Sequence, residues 1–111
     1  MKIEPKTSAV LIVDLQNDFL HPEGAYGRAK QTSPEIAALP ERILPLLNSV
    51  RAAGGWIVST QFTLVPGKNG EPFIASHLKK LRPFLKKGDF LPASWGNSLV
   101  DPVSYTHLRA H

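Results

Sequence analysis

The run Ser8-Ala9-Val10-Leu11-Ile12-Val13 is apolar almost throughout and rich in β-branched side chains, and Asp14 ends it. That pattern predicts a strand buried on both faces, as inside a parallel sheet. From His21 to Ser33 the sequence contains Pro22, Gly24 and Gly27 and has no period, so a long loop is expected above the strand end. Ser33-Pro34-Glu35 is a helix start, and Ile36, Leu39, Ile43, Leu46, Leu47 and Val50 then recur at three- and four-residue spacing. Pro40 is a second candidate for the first turn, and Pro45 removes a backbone donor and should kink the helix. Gly54-Gly55 closes the helix, and Trp56-Ile57-Val58-Ser59-Thr60-Gln61 predicts a second strand. Strand, helix and strand make a βαβ unit with parallel strands. Pro66-Gly67-Lys68-Asn69-Gly70 is turn chemistry, and Leu78, Leu81 and Leu85 predict a short amphipathic helix that Pro83 ends near Arg82. Between Gly88 and Pro102 no period is clear. Two strands and two helices leave hydrophobic sheet surface uncovered, so the chain is expected to pair with something else or to be part of a longer protein.

With 111 residues the chain fits one domain, and a 42% hydrophobic content is too high for a disordered tail. No apolar run approaches the roughly 20 residues of a membrane span, so no membrane partner is expected. Net charge is +4, unevenly placed: residues 1–50 hold five basic and six acidic groups, and residues 51–111 hold eight and three. Lys79, Lys80, Arg82, Lys86 and Lys87 supply most of the excess, with only Phe84 interleaved. A solvated face explains that cluster better than nucleic-acid binding does, and a small α/β module binding an anionic partner through Lys79 to Lys87 stands as the non-enzymatic alternative. There is no cysteine, hence no disulfide, thiolate metal cluster or thiol nucleophile in these residues. The amino terminus lacks the pattern of a signal peptide, which makes the cytoplasm the expected compartment.

Asp14 falls at the carboxyl end of the first strand, where ligand sites of open α/β sheets gather. It is a candidate general base, and a cap or turn residue on the alternative reading. The segment Val10-Leu11-Ile12-Val13-Asp14-Leu15-Gln16-Asn17-Asp18-Phe19 resembles the opening motif of the isochorismatase-like cysteine hydrolases, and the similarity continues through Arg51-Ala52-Ala53-Gly54-Gly55-Trp56-Ile57-Val58. The resemblance implies a three-layer α/β/α, Rossmann-like domain with a mostly parallel sheet and an Asp–Lys–Cys catalytic set. Asp14 matches the aspartate. In that chemistry a thiolate attacks an amide, ureido or carbamoyl carbon, backbone amides hold the oxyanion, and water releases the thioester. Vinyl-ether cleavage without a cysteine is the family's other reaction. Gln16, Phe19 and Trp95 are candidate substrate contacts, each with an ordinary alternative: Gln16 a turn or interface amide, Phe19 core, Trp95 a surface-loop anchor.

Lys79, Lys80, Lys86 and Lys87 precede the place where the resemblance puts the lysine. The metal site of related nicotinamidases has no counterpart in Gln61-Phe62-Thr63-Leu64-Val65-Pro66, and His21, His77, His107 and His111 lack metal-ligand spacing within one element. No phosphate loop, dinucleotide fingerprint or nucleophile elbow is present, so no cofactor is expected. The last nine residues, Val103 to His111, depart from the resemblance and are similar to a translated sequencing-library adapter, which predicts a non-native tail. Residues 1–102 are accordingly expected to be the amino-terminal part of a hydrolase domain, truncated and inactive by themselves. The complete protein would take a small-molecule substrate, bind no nucleic acid and assemble as a homo-oligomer.

Overall fold

The computed structural model describes residues 2–101 and 103. The order of elements is a 3-10 turn (Pro5–Thr7), β1 (Ala9–Val13), α1 (Asn17–Leu20), α2 (Ala25–Arg28), α3 (Pro34–Ala52), β2 (Trp56–Thr60) and α4 (Ser76–Leu81). β1 and β2 pair in parallel, with Ala9 opposite Trp56 and Val13 opposite Thr60. The βαβ unit and the α/β class read from the sequence are therefore present, as a two-stranded sheet with one long helix against it.

α3 starts at Pro34, capped by Ser33, whose hydroxyl accepts from the Ile36 amide at 3.2 Å. Of the two proposed starts the structure therefore has the earlier one. The helix runs on through Pro40 and Pro45. Each interior proline costs about 3 kcal/mol of helix propensity, and packing offsets it: Pro40, Leu47 and Val50 are buried and Ile43 joins the core. At its end Gly54 takes φ +87°, Gly55 donates to the Val50 carbonyl and Gly54 to that of Arg51. This is the paired closure of a left-handed helix end, which only glycine adopts without a Cβ clash.

Among the described residues the strands are covered on one side only. Ile12 and Ile57 face α3 and bury with Leu15, Leu20, Leu47, Leu99, Val100 and Val103. On the other face Leu11, Val13, Trp56 and Val58 are 42–59% exposed. Burial on both faces, which the apolar run predicted, is thus not observed, because helices lie against one face alone.

The segment expected to be a long loop contains α2, a single turn too short to carry a hydrophobic period. α4 stops at Leu81, ahead of Pro83, as the sequence predicts. A second cluster, Ala25, Leu64, Leu85 and Phe90 with Phe19, Tyr26, Phe62 and Phe84 around it, forms an aromatic core beside the sheet. Among the described residues no helix is long and apolar enough to cross a membrane. The expected tail, 103–111, lies outside the described residues apart from Val103.

Candidate active site

β1 hands directly into the site. Asp14 comes immediately after its last residue and takes φ +56°, a left-handed conformation uncommon for a residue with a side chain and better tolerated by aspartate than by most. Three backbone contacts fix it. Its N–H donates to the Thr60 carbonyl at 3.3 Å and to Thr60 Oγ1 at 3.2 Å, and its carbonyl accepts from Gln16 N at 2.9 Å. The Thr60 hydroxyl donates in turn to Asp14 Oδ1 at 2.8 Å. Oδ2 has no hydrogen bond within the described residues, and the side chain is half-buried at the strand end. The arrangement leaves one carboxylate oxygen held and one open.

Gln16 is fully buried, and its amide is spent inside the protein. Oε1 accepts from Phe62 N at 2.7 Å, and Nε2 donates to the carbonyls of Phe62 at 2.9 Å and Asn97 at 2.8 Å. It ties the turn after β1 to the segment after β2. Phe19 packs in the aromatic core, with ring centroids 4.5 Å from Phe90, 4.8 Å from Tyr26 and 5.8 Å from Phe62. Trp95 is half-exposed and meets the His21 ring edge-on at 4.9 Å. These two line a cavity of about 480 Å³ with Asn17, Ser98, Leu99, Val100 and Asp101, and Asp14, Gln16 and Phe19 are not among its walls. The structure therefore makes Gln16 a tie in the turn next to Asp14, places Phe19 in the aromatic core and sets Trp95 on a cavity whose walls do not include Asp14.

Three residues that sequence reasoning left without a role organise this region. Asp18 is 3% exposed, and its two oxygens accept from the amides of Ala25 at 2.9 Å and Phe90 at 2.7 Å. Gly96 makes room for it: a Cβ there would overlap Asp18 Oδ2. Asn97 is also buried, and its Nδ2 lies 3.0–3.1 Å from Phe62 O, Thr63 Oγ1 and Phe90 O while Oδ1 accepts from Gln61. Asp18 stands inside the opening motif, but only the fold brings residues so distant in sequence as Phe90 and Gly96 to it.

Arg28 bonds Asp89 Oδ1 at 2.7 Å, and Asp89 Oδ2 accepts from Lys86 N, which fastens α2 to the segment after α4. Lys79, Lys80, Lys86 and Lys87 are exposed. No group of three metal-ligating side chains occurs among the described residues.

A family model described as the Isochorismatase domain matches residues 8–106. The chain belongs to the isochorismatase domain family. The match spans β1 and β2 and includes Asp14, Thr60 and the buried polar residues around them. A comparison with curated proteins finds no match. Within an isochorismatase domain the strand-end aspartate and the buried Gln16, Asp18 and Asn97 divide the labour: the first keeps one oxygen without a hydrogen bond among the described residues, while the others spend their polar atoms inside the protein, largely on the backbone.

Proposed function

We propose that the chain is the amino-terminal part of a cysteine hydrolase that cleaves a small amide, ureido or carbamoyl C–N bond, with Asp14 as its general base. The observation that carries this reading is the Asp14 carboxylate, fixed through Oδ1 by Thr60 and open at Oδ2, on a strained backbone at a strand end within an isochorismatase domain. Strain of this kind costs about 1–3 kcal/mol and persists where the surroundings over-determine it, commonly at functional sites. Oδ2 would take the proton of a thiol supplied from beyond residue 102. The thiolate would add to the carbonyl carbon, the amine would leave with a proton, and water would release the acid from the thioester.

The 111-residue chain holds the base without a thiol, and it is expected to turn over no amide. Gln16 and Phe19 are proposed to act on the substrate only through the shape of the segment that follows the base, and Trp95 as a lid residue over the cavity it lines. The complete protein would be a cytoplasmic homo-oligomer that takes a small-molecule substrate.

Extending the reading frame past codon 102 from source DNA tests the proposal. A lysine followed by a cysteine is expected within the next 70–100 residues or so, on the ordinary size of a domain. The product should hydrolyse members of a small-amide and ureido panel, and Asp14→Asn should lower kcat/KM by about 100-fold or more. A product without the cysteine that cleaves a vinyl ether would overturn the amidohydrolase reading.

A further inference from the structure

We infer that Thr60 is a positioning residue for Asp14, holding its side chain in one χ1 rotamer with one carboxylate oxygen engaged. The inference rests on the reading of Asp14 as general base and adds a residue that the sequence did not single out. Strand register brings the two together: Val13 lies opposite Thr60 at the end of the parallel pair, so Asp14, one residue on, meets the Thr60 hydroxyl.

The contact is reciprocal. The Asp14 N–H donates to Thr60 Oγ1, and that same hydroxyl donates its single proton to Asp14 Oδ1. A hydroxyl has one donor and two acceptor sites, so accepting from the amide orients the proton toward the carboxylate. Threonine suits the task because its β-branch restricts χ1, which holds Oγ1 in place. The carboxylate thereby loses rotational freedom about χ1 and χ2, and Oδ2 points away from the contact. With Asp14 at φ +56° and its N–H held by the same partner, one residue on β2 contacts both the backbone and the side chain of the base.

Scalar couplings of the Asp14 β-protons, measured by NMR on this chain, read the positioning without any assay of hydrolysis. The wild type is expected to give one large and one small coupling, the pattern of a single χ1 rotamer. Thr60→Val keeps the shape and removes the hydroxyl, and should average the two couplings. Thr60→Ser should restore the single-rotamer pattern. Unchanged amide shifts at Leu47 and Ile57 in both variants would place the change at Asp14 and not in the core. Retention of one rotamer in Thr60→Val, or averaging in Thr60→Ser with the core intact, would overturn the inference. If Thr60→Val does not fold, averaged couplings in the wild type or in Thr60→Ser overturn it equally. An extended protein with no hydrolase activity would sink the functional reading and leave this result standing.

Discussion

The sheet with α3 and the lobe that runs from Leu15 to Arg28 and from Gln61 to Val100 are held by different forces. In the first, backbone ladders and an apolar face do the work: parallel pairing, a capped helix, and Ile12, Ile57 and Leu47 packed between them. In the second, regular structure is scarce, and buried side chains satisfy backbone groups that a helix or strand would have paired. Asp18, Gln16 and Asn97 each bond main-chain atoms distant in sequence, and Asp89 closes the outer end. Irregular backbone can be buried only when such partners exist, since an orphaned amide or carbonyl costs about 1–3 kcal/mol. The lobe should therefore be sensitive to polar substitutions of a kind the sheet's open face tolerates.

Asp18→Ala is the most severe test of that contrast. It leaves the Ala25 and Phe90 amides buried without an acceptor, which should lower stability by about 2–5 kcal/mol, measured as a shift of the urea midpoint. A loss below about 1 kcal/mol would mean that the aromatic cluster holds the lobe by itself. Gln16→Leu comes next, at about 1–3 kcal/mol, because it unpairs the Phe62 amide and takes one of two donors from the carbonyls of Phe62 and Asn97. If stability held while substrate binding to the extended protein weakened, Gln16 would be a ligand contact and not a tie. Gly96→Ala should cost a similar amount or somewhat less, about 1–3 kcal/mol, depending on how far Asp18 yields to a Cβ that would overlap its oxygen.

At the far end of the scale, Leu11→Lys on the open face should change stability by less than about 0.5 kcal/mol. The residue is already 59% exposed. Its effect should appear in solubility, because a charge on a flat apolar strand surface opposes association. Light scattering of the two proteins at equal concentration would read it. A large loss of stability instead would mean that this face is covered in solution.

The same contrast governs what the sequence discloses. β1, β2 and α3 were legible because periodicity and capping residues are local signals, and the end of α4 was legible because Pro83 restricts Arg82. The open sheet face was not, since an apolar run records what a strand can bury and not what is there to cover it. Asp14 was visible as a charged residue after such a run. Thr60 could be assigned only once the register was known, and Asp18 only once Phe90 and Gly96 stood beside it. α2 escaped because four residues carry no period. Pro40 misdirected as a possible helix start because propensity is a local penalty and the packing that offsets it is not.

Asp18 also says something about when the protein becomes itself. Its second acceptor site is filled by an amide 72 positions further along, and Gln16 reaches 81 positions to Asn97. Closing loops of that length is slow relative to forming helices, and during synthesis the partners emerge long after the turn. Until then a charged group and an amide belonging to the interior stand in water next to an uncovered apolar strand. The turn after β1 is among the first segments made, and it stays unfinished until Phe90 and Asn97 have followed it.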